Sequence, residues 1–218
     1  MAIVSDELSP AIQRAAAQFD AKYADTDDPW RYRTSWYESR KRAMTLAALP
    51  RSRYGRAFEP GCANGELSAA LATRCDHLLC ADFAANAVAI ASRRLAEFEH
   101  VEVQRMAVPQ QWPGGSFDLI VISEFAYYLK KSQCRTLAQQ TCASLDANDG
   151  AIVCCHWRHG AHDCCLDADS VDQLFSQAAR ANALHLATRV QDADFLLSVW
   201  TTHSAGVAER EPIYSATG

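Results

Sequence analysis

Glu59, Gly61, Cys62, Gly65 and Asp82 have the types and spacing that most plainly suggest chemistry. Glu59 precedes the loop Pro60-Gly61-Cys62-Ala63-Asn64-Gly65. A short strand over 56–59 enters the loop, and a helix leaves it at Glu66. A strand, a glycine loop and a helix set backbone N–H groups and a helix N-terminus against a ligand, which makes a nucleotide-type site the first hypothesis. The dinucleotide fingerprint needs three glycines, and Gly61, Ala63 and Glu66 stand at those positions. Glu66 fails, because the third glycine exists to let helix and strand pack closely. Glu59 also points a carboxylate at the loop, which repels a pyrophosphate and attracts a cation.

S-adenosyl-L-methionine is a cation of the right kind, with an ammonium, a sulfonium and no phosphate. Asp82 ends the second strand, where a carboxylate can accept both ribose hydroxyls, as the acid of dinucleotide folds does. The plain alternative is that Gly61 and Gly65 only end a strand and Asp82 only caps a helix. The whole strand–loop–helix–strand–acid series favours the ligand site over that alternative.

A second cluster is His156, His159, His162, Asp163, Cys164 and Cys165, with Cys154-Cys155 just before it. Imidazoles and thiolates suit zinc or a thiophilic species. No Cys-x-x-Cys knuckle occurs, and alternation along a strand sends Cys154 and Cys155 to opposite faces. The preferred reading is therefore buried thiols followed by a polar loop, with no metal. Nine cysteines are an odd number, and reduced thiols are expected.

The elements that must position these residues follow from pattern. Helices are expected over 11–23 and 35–49, with Ser35 and Glu38 as a capping box. Asp28-Pro29 reads as a turn. Strands are expected over 56–59, 77–82, 101–107, 117–123 and 151–157, and helices over 66–74, 86–98, 132–145 and 168–182. Alternating strands and helices mean an α/β fold with a mostly parallel sheet covered on both faces. Two closing strands, 185–190 and 195–202, lie too close for a crossover and should pair antiparallel.

The sequence of 218 residues fits a single domain with a short arm: residues 1–34 as arm, 35–204 as domain and 205–218 as a loosely ordered tail. The formal charge of −5 has no basic cluster behind it and argues against nucleic acid as a partner. No apolar stretch approaches the ~20 residues of a membrane span. Asp6 and Glu7, with no basic segment before them, argue against a signal peptide, so a cytoplasmic protein is expected.

The series Phe-Glu-Pro-Gly-Cys-Ala-Asn-Gly (58–65), Ala81-Asp82 and Phe-Asp-Leu-Ile-Val-Ile-Ser-Glu (117–124) resembles class I S-adenosyl-L-methionine-dependent methyltransferases. Asp28-Pro29-Trp30-Arg31, Trp36-Tyr37-Glu38 and Tyr127-Tyr128 are similar to the nodulation protein S group, and to domains found beside deacetylases in bacterial glycan clusters. The resemblance spans about residues 18–202 and implies a Rossmann-like seven-stranded sheet. It implies that Glu59 meets the methionine amino group, that Gly61 and Cys62 lie along the methionine part, and that Asp82 holds the ribose beside Phe83. Met106 and Ala107 would line the adenine, with the Ala107 N–H toward it. Met106 stands where many members have Asp. Ser123 and Glu124 would face the reacting methyl. Trp30 and Arg31 would fold over the cofactor, with Arg31 toward its carboxylate.

An acceptor amine must present a lone pair, so a proton sink helps transfer. The candidates are Glu124, Tyr127, His156 and His159, of which His156 ends a strand at the ligand-binding edge of the sheet. The acceptor implied is a small molecule or oligosaccharide, with nitrogen methylation of an amino sugar leading. Oxygen methylation, methylation of a soft atom, and a non-catalytic cofactor- or metal-binding module are the rival readings.

Overall fold

The run Leu119-Ile120-Val121-Ile122 has no polar interruption, and all four side chains are fully buried in the computed structural model. Each such burial contributes about 1.5–3 kcal/mol. A strand like this must be covered on both faces, which places it centrally in a parallel sheet. The structure describes residues 9–160 and 163–210.

The strands are β1 (Tyr54–Pro60), β2 (Cys75–Asp82), β3 (Val101–Arg105), β4 (Leu119–Ser123), β5 (Ala151–Trp157), β6 (His185–Gln191) and β7 (Phe195–Thr201). They form one seven-stranded sheet in the order β3-β2-β1-β4-β5-β7-β6. The first five are parallel, and β7 runs antiparallel to both β5 and β6. The order reverses between β1 and β4, and the crevice beyond such a switch point is where open α/β sheets bind ligands.

The helices are α1 (Pro10–Lys22), α2 (Trp36–Ala47), α3 (Glu66–Ala72), α4 (Ala85–Arg94), α5 (Lys131–Ala143), α6 (Ala168–Ala181) and α7 (Val207–Arg210). Leu71 of α3 and Ala91 of α4 belong to the core on one face of the sheet, against which Met44 of α2 packs. Leu137 of α5 and Val171 and Leu174 of α6 fill the core on the other face. Alternation along β5 divides its side chains accordingly: Val153 and Cys155 join the first core, Ile152 and Cys154 the second. Among the described residues, no helix is long and apolar enough to cross a membrane.

Three expectations change. Ser35 is the N-cap of α2, but its side chain makes no capping bond. Glu38 is buried and pairs with Lys41 at 2.9 Å, because an ammonium is a stronger partner for a carboxylate than a backbone N–H. Helix α4 ends at Arg94 rather than at 98, and a turn in which the Phe98 N–H donates to the Leu95 carbonyl closes it. The expected loose tail begins as α7, whose Arg210 donates to the Pro50 carbonyl at 3.0 Å. The rest of that tail, 211–218, lies outside the described residues, as do residues 1–8.

Candidate active site

Gly61 carries the chain out of β1 with φ +74°, and a Cβ there would meet the Phe125 ring at 2.6 Å. Only glycine fits both constraints. Gly65 closes the loop at φ +82° and becomes the N-cap of α3. Ala63, at the middle position, holds a positive φ of 50° without being glycine. Asp82 braces the loop, for its carboxylate accepts from the Ala63 N–H and the Ala84 N–H, both at 3.0 Å. The predicted strand–loop–helix–strand–acid series is thus a single hydrogen-bonded unit.

Glu59 ends β1 only 2% exposed, and among the described residues no basic side chain pairs with it. The Cys80 thiol lies 3.9 Å from its Oε2, and the Ser68 hydroxyl also faces it. Burial pushes its pKa up to about 8, and burial likewise lifts Asp82 to about 6. Cys62 is buried in the loop with its thiol raised well above the ordinary range by desolvation. Buried carboxylates without a cation make a site prepared for one.

One cavity connects this loop to the end of β4. Its lining includes Glu59, Gly61, Cys62, Ser123 and Glu124, together with Glu38, Lys41 and Arg42 from α2. Glu124 has a positive φ of 61°, a strained conformation for a side chain other than glycine. Its Oε2 accepts from Lys41 at 2.7 Å, and its Oε1 is buried with no partner. Burial raises its pKa, and Lys41 opposes that rise.

The arm reaches the same region. Asp28 accepts from the backbone of Tyr32 and Arg33 and from the Asn64 side chain, which ties the turn to the glycine loop. Trp30 packs on Phe19, Tyr23 and Tyr32, and Phe19 meets Phe83 with ring centres 5.2 Å apart. Trp30 and Phe83 are therefore brought to the Asp82 end of the loop. Arg31 is not brought in: it is exposed between two successive turns, with φ 60°. Arg42 lines the cavity instead, donates to the Tyr32 carbonyl at 3.3 Å, and has no carboxylate partner among the described residues. The Ala107 N–H, expected toward adenine, donates to Gln111 Oε1 at 2.8 Å, and Met106 lies partly buried beside it.

His156 and Tyr127 lie outside this cavity. His156 is 1% exposed, neither ring nitrogen has a partner, and its ring sits 5.9 Å from that of Tyr127. Burial, helped by Lys41, depresses its pKa to about 3, so it is neutral and too weak a base for proton removal near neutral pH. This corrects the expectation drawn from its strand-end position. Alternation turns it toward the α5–α6 face, where it meets Tyr127. Tyr127 is buried beneath Tyr128, and its carbonyl accepts from Cys165 and Leu166. Burial raises its phenol far above the working range. His159 pairs with Asp194 at 2.8 Å. Of the second cluster, His162 lies outside the described residues.

Lys41, Arg42 and Thr45 escaped the sequence reading, and Glu38 was read only as a capping residue and as part of the Trp36-Tyr37-Glu38 motif. They stand at i, i+3, i+4 and i+7 of α2, one stripe of a helix, and that period was the available signal.

The family described as nodulation protein S matches residues 13–202 of the chain. Nodulation protein S of Bradyrhizobium diazoefficiens is 28% identical over 78% of this chain and 84% of its own length. The N-methyltransferase NodS of Bradyrhizobium japonicum, solved with S-adenosyl-L-homocysteine, is 25% identical, with a TM-score of 0.75 covering 87% of this chain and 97% of that one. A candidate methyltransferase from Pseudomonas syringae is 46% identical, with a TM-score of 0.67 over 77% of this chain and 99% of that one.

Proposed function

The chain belongs to the nodulation protein S family of S-adenosyl-L-methionine-dependent methyltransferases, and from that premise we propose that it N-methylates an amino sugar or a similar small amine. The observation that carries the acceptor reading is Glu124. Its partnerless Oε1 is buried in the cavity that also holds the glycine loop, where an amine can deliver its proton.

The residues present suit the cofactor. Glu59, buried without a cation, takes the methionine ammonium, and Arg42 takes the carboxylate. Gly61, Cys62 and Gly65 shape the loop. Asp82 keeps lone pairs for the ribose hydroxyls beside its two backbone bonds. Phe83, Met106 and Ala107 form the apolar adenine wall, and Trp30 on its arm excludes water. When bound, the cofactor supplies a sulfonium methyl whose carbon–sulfur bond breaks, with its electron pair returned to sulfur, as the amine nitrogen bonds the methyl carbon. The protein's part is alignment and proton removal: Ser123 and the loop fix the approach, and Glu124 receives the proton that the methylated nitrogen sheds.

The test is a transfer screen against deacetylated chitooligosaccharides and simple amino sugars with mass readout. A gain of one methyl on the free amine is expected. Methylation of only hydroxyl or thiol acceptors would overturn the amine reading.

A further inference from the structure

Lys41 is among the most buried charges in the molecule, its side chain 6% exposed. Its ammonium lies 2.9 Å from Glu38 and 2.7 Å from Glu124, and 4.8 Å from the centre of the Tyr37 ring. Burying a lysine is costly, and two carboxylates for one ammonium leave a net negative charge to bury. Packing alone would be served more cheaply by an apolar side chain, so the arrangement calls for another reason.

We propose that Lys41 is a positioning residue: from α2 it holds Glu124 ionised and oriented so that Oε1 is left free for the amine at the site of transfer. This rests on the methyltransferase reading above. The groups around Glu124 and its Lys41 partner come from four elements: Glu38, Lys41 and Tyr37 from α2, Tyr32 from the arm, Cys155, the neutral His156 and the Trp157 N–H from β5, and Tyr127 and Tyr128 from the turn after β4. The phenols and the thiol are pushed up by burial and stay neutral. Glu38 is itself acidic. Among the described residues Lys41 is therefore the one cation paired with Glu124, and its removal takes away the main opposition to burial, leaving only the Trp157 backbone N–H. The clamp occupies one oxygen, Oε2, and leaves Oε1 without a side-chain partner.

The test needs no acceptor. Sinefungin carries an amine at the position of the transferring methyl, whereas S-adenosyl-L-homocysteine has none there. The ratio of their affinities, measured by calorimetry, reads the charge on the facing carboxylate. Glu59 and Asp82 titrate equally under both ligands and cancel. Wild type is expected to prefer sinefungin about tenfold with little change from pH 6 to 8, as a charge-assisted contact should. Glu124→Gln should erase the preference and leave homocysteine-ligand affinity within about twofold. In Lys41→Met the preference should fall about tenfold as pH drops from 8 to 6, following a raised Glu124. Lys41→Arg should restore the flat profile. Lys41→Gln carries the same expectation as the methionine variant if that variant does not fold. A flat, wild-type preference in the neutral variants would overturn the positioning role. A preference that survives Glu124→Gln would overturn the placement of Glu124. Failure of wild type to bind either ligand would instead overturn the methyltransferase reading itself.

Discussion

The two halves of the candidate site are built in opposite ways. At the ends of β1 and β2, Glu59, the glycine loop and Asp82 come from one continuous stretch, bound to itself by bonds such as that from the Ala63 N–H to the Asp82 carboxylate. At the ends of β4 and β5, Glu124 depends on Lys41, 83 residues away in sequence. The first half is rigid because neighbours in the chain hold it. The second is assembled by the fold, and side-chain pairing fixes it.

The largest expected effect breaks the first half. Asp82→Asn removes the charge that two ribose hydroxyls would share, and S-adenosyl-L-homocysteine affinity should fall about 100-fold by calorimetry. The amide retains one oxygen for a loop N–H, and thermal unfolding checks that the loop survives. Unchanged affinity would mean that Asp82 is only the brace seen in its bonds to Ala63 and Ala84.

Glu59 gives the next effect, and its sign follows from burial. Its folded pKa of about 8 lies far above that of an unfolded glutamate, so the ligand-free fold holds a proton the unfolded chain releases. The ligand-free protein should therefore lose stability as pH rises from about 5 through 8. A bound ammonium favours the carboxylate, so binding near pH 7 should release about one proton and tighten about tenfold per pH unit below pH 8. Calorimetry in buffers of different ionisation heat measures the proton. Glu59→Gln should abolish both the release and the slope, and a wild type without proton release would sink the assignment of Glu59 to the ammonium.

The same contrast explains what could be read from the sequence. The sheet, its antiparallel closing strands and the loop between Glu59 and Asp82 were legible as structure because each is set by local pattern: alternation, a strand-to-helix glycine turn, an acid at a strand end. Arg31 was misplaced because a resemblance in the arm does not fix which side of a turn a side chain takes. Here Asp28 and Asn64 set the turn, and Arg31 is left exposed at its end. His156 was over-read because a strand-end position does not say which face a side chain takes, and the face decides its solvation. Lys41 and Arg42 were missed because their meaning comes only from Glu124 and the cavity, which lie far away in sequence. Arg42→Gln should weaken S-adenosyl-L-homocysteine about tenfold, while Arg31→Gln should leave it within about twofold. The reverse ranking would return the carboxylate contact to the arm.

The smallest effect probes the second half in the absence of ligand. The Tyr37 hydroxyl is buried without a partner, beside the Lys41 ammonium and the Phe195 ring. A buried hydroxyl left unsatisfied costs about 1–3 kcal/mol, so Tyr37→Phe should stabilise the ligand-free protein by about 1 kcal/mol. In a chain of this size that raises Tm by about 2–4 °C. A site shaped only by packing would gain that stability at no functional cost. If the hydroxyl is instead kept for the acceptor, the same variant should raise the acceptor KM with S-adenosyl-L-homocysteine affinity unchanged, since Tyr37 belongs to the half the cofactor does not use. Loss of stability on removing the hydroxyl would show that it is satisfied in solution, and Tyr37 would then join the scaffold rather than the acceptor half.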